Sequence, residues 1–366
     1  DFLGRYVSVD DSSSPNFKAY KASKASLAID TDVDLDNHTG DASNPIDKYY
    51  RVDFLNSSVR VDAGKTVRGT DAAAVSQAIA QANYNGSADS ADVKVENNGT
   101  IDFSKKNATA IAVDFAEARN SGKIVMNAAN SDGENSVAMF GASGSKLENT
   151  GSGTIELGTN GVGIWGANRI SSSVWNWGKD INVTNAGTIK GISGKKGLFG
   201  IYAVNDTSSY PGASSAAVHS GSIDFSENGK STGIFIKNGT LTSSGNISIK
   251  EGSVGINATD SKVNVSAGTY TIGKESAGFR LTGTSGGALP EFMGTAGNVN
   301  ITGDDSTVYL LEGRSFTSGT GGNFTDNLAL TSSAAYTYIN AKNTTLNYKN
   351  TKVVNNDKTI FLNSYN

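Results

Sequence analysis

The chain has 366 residues, no cysteine, 43 Gly, only 4 Pro and a formal net charge of −4. The absence of cysteine excludes a disulfide-stabilised small fold and a site built from thiolate ligands, and 31 Lys and Arg against 35 Asp and Glu exclude a basic nucleic-acid-binding protein. A chain rich in Gly, Ser, Thr and Asn, with 37% hydrophobic residues, is expected to form a turn-rich fold with a long apolar core.

Residues 1–90 are predicted to form an N-terminal cap region with degenerate coils. In an acidic run from Asp30 to Asp36, every second residue is Asp. In a strand, these carboxylates would lie on one face, with Val33 and Leu35 on the other. We interpret the run as a solvent-exposed strand face. A calcium loop of the EF-hand type is the alternative, but Leu35 stands where that loop needs Gly, and Asp41 where it needs Glu.

An Ala-rich segment near residues 71–83 is predicted to be a short helix. Thr70 or Asp71 can cap its N-terminus, Val75 and Ile79 fall on one face, and Asn83 stands where it would end. A solenoid has to cover its open apolar end. We therefore expect this helix to lie over the first coil or to project from it.

Residues 91–366 carry an internal repeat with two interleaved phrases. The first is a small polar turn followed by Gly, a polar residue and Ile, as in Asn98-Gly99-Thr100-Ile101, Asn120-Ser121-Gly122-Lys123-Ile124, Ser152-Gly153-Thr154-Ile155 and Ala186-Gly187-Thr188-Ile189. Weaker copies are Ser220-Gly221-Ser222-Ile223, Gly245-Asn246-Ile247, Gly268-Thr269-Tyr270 and Gly297-Asn298-Val299. The second is a small residue before a large apolar one, as in Ala110-Ile111, Ala138-Met139, Gly163-Ile164, Gly200-Ile201, Gly233-Ile234, Gly255-Ile256 and Gly278-Phe279.

The repeat predicts an all-β fold, a right-handed parallel β-helix with lateral loop insertions, over residues 91–366. Each unit holds about three short apolar segments, and many of them, such as Ile101-Asp102-Phe103, alternate with the period of a strand. Stacked coils would line the interior with apolar ladders and place Asn and Ser ladders at the bends. The Gly of the first phrase is expected at a bend with positive φ.

Two insertions between coils are rich in aromatic and large apolar residues. Solenoids carry insertions as loops on one side, which is often the binding side, and Trp and Tyr are common interface anchors. We therefore predict partner binding through these side chains. The alternative is that the loops pack their own aromatic residues against the rod. The candidate residues are Trp165, Trp175, Trp177, Tyr202 and Tyr210 in the first insertion and its flanks, and Leu289 and Phe292 in the second, between Thr282 and Gly297.

Catalytic and metal-binding patterns are weak. The two histidines, His38 and His219, lie far apart in the sequence, no nucleophile-elbow phrase accompanies either, and we expect His219 to be a surface turn residue. The segment from Gly319 to Asp326 is interpreted as a turn. Polysaccharide cleavage would need paired carboxylates, or Arg with acidic partners, on one face of adjacent coils. The local clusters, none of which repeats in this way, are Asp304-Asp305, the group Asp114, Glu117 and Arg119, and the single Arg280. No catalytic residue, metal or cofactor is predicted.

The recurring N-x-G-T-I phrase, the interleaved G-I phrase, the absence of Cys and the high content of Asn, Ser, Thr and Gly resemble the passenger domain of a type V autotransporter. The chain is most similar to the large adhesins of Gram-negative anaerobes. The resemblance covers residues 95–366 well and residues 1–90 loosely. It implies a β-helical stalk at the cell surface, anchored to the outer membrane by a C-terminal barrel that this sequence does not contain.

On this basis we expect a monomeric, non-enzymatic adhesin segment, and the sequence is interpreted as cut from a longer chain. Its partner would be a host or bacterial cell-surface protein or glycan, and not a nucleic acid. Two alternatives stay open. One is a secreted β-helical polysaccharide hydrolase or lyase, and the other is a plain structural stalk.

Overall fold

The chain folds as an all-β solenoid, seen here in a computed structural model. The structure describes residues 7–8, 20–22, 26–34, 50–53, 57–69, 82–83, 93–113, 116–142, 144–167, 180–205, 215–319, 321–348 and 359–365. Among these residues, no helix is long and apolar enough to span a membrane.

Three long sheets of 11, 11 and 10 strands make up the solenoid, and the neighbouring strands within each are parallel. From β9 to β36, each turn of the chain, or coil, adds one strand to the first sheet, one to the second and one to the third. A parallel sheet whose neighbours come from successive coils is the defining feature of a β-helix. The predicted parallel β-helix is therefore confirmed.

The strand bounds follow the sheets. A small sheet holds β1 (Val7–Ser8), β2 (Tyr20–Ala22), β5 (Tyr50–Asp53) and β8 (Ala82–Asn83). The first long sheet holds β3 (Ser26–Ile29), β6 (Ser57–Val61), β9 (Val93–Asn97), β12 (Glu117–Asn120), β15 (Lys146–Asn149), β18 (Ile181–Asn185), β21 (Ser215–His219), β24 (Gly239–Ser243), β27 (Lys262–Val265), β30 (Glu291–Gly294) and β34 (Phe324–Asp326). The second holds β4 (Val33–Asp34), β7 (Thr66–Gly69), β10 (Thr100–Phe103), β13 (Lys123–Ala129), β16 (Thr154–Thr159), β19 (Thr188–Gly191), β22 (Ser222–Phe225), β25 (Asn246–Ile249), β28 (Thr269–Ile272), β31 (Asn298–Ile301) and β35 (Ala329–Ser332). The third holds β11 (Thr109–Val113), β14 (Ser136–Gly141), β17 (Gly161–Ala167), β20 (Phe199–Val204), β23 (Thr232–Lys237), β26 (Val254–Thr259), β29 (Ala277–Thr282), β32 (Ser306–Glu312), β36 (Tyr336–Lys342) and β38 (Thr359–Tyr365). The strands β33 (Phe316–Thr317) and β37 (Leu346–Asn347) form a separate parallel pair.

The core runs along the axis as columns of stacked apolar side chains. Ile124, Ile155 and Ile189 are in register on successive strands of the second sheet, and all are fully buried. Towards the C-terminal coils the columns become aromatic, and the ring of Phe279 lies 4.9 Å from that of Phe292. Removal of this apolar surface from water is the main stabilising term for such a rod.

The glycines of the first repeat phrase are needed for close approach rather than for positive φ. Only two of the eight corner glycines, Gly268 and Gly297, have positive φ. At Gly221 an added Cβ would overlap the carbonyl oxygen of Gly187, one coil below. The predicted reason was therefore wrong for the other six, which are Gly99, Gly122, Gly153, Gly187, Gly221 and Gly245. Adjacent coils stack too tightly at this corner to leave room for a side chain.

The N-terminal strands extend the same sheets. The strand β6 pairs with β9, and β7 pairs with β10, so described strands on both sides of residue 90 belong to the same sheets. Whether residues 1–90 form a cap region stays a prediction. Most of the predicted helix, residues 71–81, lies outside the described residues. Its predicted end, Ala82–Asn83, is strand β8 paired with β5, because strand pairing overrides the local preference for helix there.

A column of buried amides follows the first sheet at its corner with the second. Asn97, Asn120, Asn149 and Asn185 are fully buried, and the Nδ2 of each of the first three donates to the Oδ1 of the next asparagine at 2.8 Å. We call these four residues and His219, which follows them, the asparagine ladder. It confirms the predicted polar ladder, because buried amides are stable only where their donors and acceptors are paired.

His219 is buried, so the prediction of a surface turn residue was wrong. It lies on β21 at the position that the asparagines hold on earlier coils, where Asn185 Nδ2 donates to its Nδ1 at 3.2 Å. Its Nε2 donates to the carbonyl oxygen of Asn246 at 3.1 Å. Burial lowers the pKa of His219 to about 4, against hydrogen bonds that raise it, so the ring is neutral at pH 7.

Candidate partner-binding face

Strand β20 of the third sheet has a bend that keeps two consecutive residues buried. In β20, Gly200 and Ile201 are both buried, and Phe199 and Tyr202 on either side of them are only partly buried on the outer surface. A strictly alternating strand would not leave two consecutive residues inside. Gly200 fits this bend because an added Cβ would lie 2.5 Å from the carbonyl oxygen of Gly233.

Four aromatic residues occupy the outward position after this bend on successive coils. Phe140, Trp165, Tyr202 and Phe235 are in register across β14, β17, β20 and β23. Successive ring centroids lie 5.6, 5.4 and 4.8 Å apart. We call these four residues the aromatic stripe. Such spacings give each pair a favourable aromatic contact in addition to burial.

A groove of about 250 Å³ lies beside the stripe. Trp165 and Tyr202 line one side, and Val162 and Phe199, which pair with each other in register, line the other. Asn135, exposed in the turn before β14, also lines it. The groove is therefore a short concave site between two columns of outward side chains, and most of its described lining is apolar.

The polar atoms at the groove are neutral. Burial raises the pKa of the Tyr202 hydroxyl above its ordinary value of 10, so it keeps its proton and can donate at pH 7. Trp165 Nε1 is buried and has no hydrogen-bond partner among the described residues. Packing against Phe140 and Tyr202, rather than a hydrogen bond to a described residue, therefore holds the indole ring.

The structure brings together two of the seven predicted binding residues, Trp165 and Tyr202. Leu289 is 49% exposed in the turn before β30, distant in sequence from the stripe. Trp175, Trp177 and Tyr210 lie outside the described residues. Their predicted role in partner binding stays a prediction.

Phe292 does not lie in a surface loop, as the sequence indicated. It is fully buried on β30 and packs against Phe279 and Tyr309 with ring centroids 4.9 and 5.3 Å away. The predicted insertion between Thr282 and Gly297 thus contains a regular strand of the first sheet. The side chain of Phe292 is therefore not available to a partner in this fold.

Phe140, Phe199 and Phe235 were missed by the sequence reasoning. Phe140 directly follows the second repeat phrase Ala138-Met139, and Phe235 directly follows Gly233-Ile234. Trp165 and Tyr202 hold the same position in their own coils. Alignment of the coils on that phrase would have shown the stripe. These three residues lie on regular strands and not in the insertions.

The acidic and basic clusters that were weighed for catalysis form ion pairs and turns. Glu117 bridges Lys94 and Lys146 at 3.8 and 3.0 Å, and Arg119 lies 3.3 Å from Glu148. The Arg280 guanidinium lies 2.8 Å from Glu312, and Asp304 accepts a hydrogen bond from the backbone nitrogen of Ala335 at 2.8 Å, while Asp114 lies outside the described residues.

The part of the chain that the structure describes holds no group of three or more His, Cys, Asp or Glu that could bind a metal ion. In the acidic run, Asp30 and Asp32 are exposed, and Asp32 accepts a hydrogen bond from the backbone nitrogen of Thr66 at 2.8 Å. These two residues agree with the predicted solvent-exposed face. His38, Asp36 and Asp41 lie outside the described residues.

Comparison with models of protein families, with curated proteins and with solved structures gives no match to this chain. The geometry of the aromatic stripe and its groove therefore carries the functional argument.

Proposed function

We propose that this chain is a non-enzymatic binding segment of a cell-surface adhesin, displayed outside the cell and anchored to the outer membrane. The outer face of the third sheet contacts a protein or glycan on a host or bacterial surface. The aromatic stripe is the observation that carries this proposal. Four partly buried rings in register on an outer sheet face form a continuous patch of the residue types that dominate binding interfaces.

The surrounding rod supports the same function. Trp165 and Tyr202 lie on interior strands whose backbone groups pair with a coil on each side, so the stripe is held on a rigid surface. A preformed site costs less conformational entropy on binding than a flexible loop does. The sequence resemblance to autotransporter passengers adds the cell-surface setting.

Cell binding by the purified chain tests the proposal. We expect labelled chain to bind target host or bacterial cells, and Trp165→Ala combined with Tyr202→Ala to lower that binding by roughly tenfold or more, because interface aromatic residues commonly contribute 2 kcal/mol or more. Val218→Ser is the control. Val218 is 42% exposed on the first sheet, away from the stripe.

Four other results would point elsewhere. Equal binding by the double variant and the control would remove the stripe from the site. A loss of binding with Trp175→Ala and Trp177→Ala alone would move the site to the first insertion. Absence of cell binding would favour a structural stalk, and release of sugar from a polysaccharide panel, lost on changing an acidic residue, would favour the hydrolase or lyase.

A further inference from the structure

The groove beside the aromatic stripe is small enough to select for the size of its ligand. Sites for drug-sized molecules commonly enclose roughly 300–1,000 Å³. This groove, at about 250 Å³, has room for a single ring-sized group. A large partner would therefore insert one small group here and contact the rest of the face with other parts of its surface.

The described lining also discriminates against charged ligands. None of the described lining residues, which are Asn135, Val162, Trp165, Phe199 and Tyr202, carries a charge at pH 7. The hydrogen-bonding side chains among them are the Asn135 amide, the Tyr202 hydroxyl and the Trp165 indole nitrogen. An ionised ligand would lose hydration here without meeting an opposite charge, so the lining favours a neutral ligand.

The backbone beneath the groove is not available to a peptide strand. Both β17 and β20 are interior strands that pair with parallel neighbours on both sides, and their N–H and C=O groups are used in those ladders. Peptides that bind sheets by their backbone need an exposed edge. Recognition at the groove must therefore come from side chains.

The ring of Trp165 differs in orientation from its neighbours in the stripe. Its plane makes angles of 89° with Phe140 and 73° with Tyr202, so neither of them stacks face to face on the indole. Tyr202 and Phe235, by contrast, stack at 16° and cover each other. The face of an aromatic ring is electron-rich and attracts polarised C–H groups.

We propose that the groove binds one neutral sugar ring of a cell-surface glycan. One face of a pyranose presents C–H groups that can stack on the Trp165 indole, while its hydroxyl groups exchange hydrogen bonds with the Asn135 amide and the Tyr202 hydroxyl. The ligand is uncharged, and its apolar face and its hydroxyl groups match the apolar and the hydrogen-bonding side chains of the groove. This inference rests on the proposed function and names the chemical class of the partner.

Binding of simple glycosides to the purified chain tests the inference. The probes are methyl β-galactopyranoside and methyl β-glucopyranoside as neutral sugars, glucuronic acid as a charged sugar, and cyclohexanol as an apolar ring of similar size. Saturation-transfer NMR and calorimetric titration are the measurements. We expect at least one neutral glycoside to bind, and glucuronic acid and cyclohexanol to bind more weakly.

Variants then locate the sugar. Trp165→Ala is expected to weaken glycoside binding by roughly tenfold, and Trp165→Phe, which keeps a ring and is less disruptive to folding, by less. Tyr202→Phe removes only the hydroxyl and should weaken binding several-fold, while Val218→Ser should leave it unchanged. Absence of binding by both neutral glycosides, equal binding of cyclohexanol, or no effect of Trp165→Ala would overturn the inference.

The cell assay separates this inference from the proposed function. If cell binding depends on the stripe and the glycosides compete with it, both stand. If cell binding depends on the stripe but is unaffected by glycosides and is abolished by protease treatment of the cells, the adhesin function stands and the glycan ligand is wrong. If the glycosides bind the chain but no cells do, the sugar site stands and the adhesin function fails.

Discussion

The imidazole of His219 makes the asparagine ladder sensitive to pH. As a neutral ring it accepts a hydrogen bond from Asn185 through Nδ1 and donates one to Asn246 through Nε2. Protonation would place a second donor on Nδ1, opposite the amide that already donates to it. Burial, which takes the ring out of water, is the main reason that the folded state disfavours the charged ring and lowers the pKa of His219.

The lowered pKa of His219 predicts that the folded chain loses stability in mild acid. The pKa of His219 is 6.5 in the unfolded chain and about 4 in the fold, so the unfolded state binds more protons between these values. The stabilisation is complete above pH 6.5 and is lost as the pH falls to 4, by about 3 kcal/mol in total. Urea midpoints of the chain and of His219→Asn, measured from pH 7 to pH 4, should diverge in this window. Parallel curves would show that His219 does not cause the acid sensitivity.

Corner glycines offer a second test at the residue scale. Gly221→Ala should destabilise the chain by about 2 kcal/mol or more, because the new Cβ overlaps the Gly187 carbonyl oxygen and the coils cannot move apart without breaking hydrogen bonds. Gly151→Ala is the control, since nothing lies within 4 Å of its added Cβ. Thermal unfolding of the two variants measures the difference. Equal melting temperatures would mean that the corner is looser than the stacked coils indicate.

The residues of the asparagine ladder lie on successive strands of the first sheet. The contribution of the ladder to stability depends on the hydrogen bonds between neighbouring side chains. Asn149 both accepts from Asn120 and donates to Asn185 at 2.8 Å. Removing it leaves a buried donor on one neighbouring coil and a buried acceptor on the next. A buried unsatisfied polar group costs about 1–3 kcal/mol.

We therefore expect Asn149→Ala to lower the free energy of unfolding by about 3 kcal/mol. Asn264→Ala is the matched control, because Asn264 is a partly exposed residue of β27 outside the ladder. It should change stability by less than about 0.5 kcal/mol. Chemical denaturation of both variants is the measurement. If the two substitutions cost the same, the ladder contributes no more than an ordinary surface amide.

At the scale of the whole molecule, contacts in the solenoid join each coil mainly to the coils on either side. The stability of such a rod is approximately a sum of coil and neighbour terms, so a local defect need not unfold the whole chain. The composition of the core also changes along the rod. Ile155 stacks between other isoleucines, whereas Phe279 stacks among Phe292 and Tyr309.

Two core truncations should therefore unfold different parts of the rod. Phe279→Ala, which removes about 4 kcal/mol of packing, should raise hydrogen exchange in β26–β32 and leave β10–β16 protected. Ile155→Ala should raise exchange in β13–β19 and spare β29–β36. Mass spectrometry of exchanged peptides gives both patterns. A uniform loss of protection in either variant would show that the solenoid unfolds as one cooperative unit.

The sequence by itself determined the class of fold, because successive coils of a solenoid are successive segments of the chain. Every coil needs the same residue types in its strands and corners, so the fold appears in the sequence as a repeat. The sequence also indicated the polar ladder, since identical residues at equivalent positions of a stacked repeat must meet. The tertiary structure alone decided the reason for the corner glycines, the burial of His219 and Phe292, and the grouping of the stripe. Each of these depends on which atoms of the neighbouring coil lie opposite. Successive residues of the stripe are 25 to 37 positions apart in the chain, and only the register of the strands makes Phe140, Trp165, Tyr202 and Phe235 neighbours.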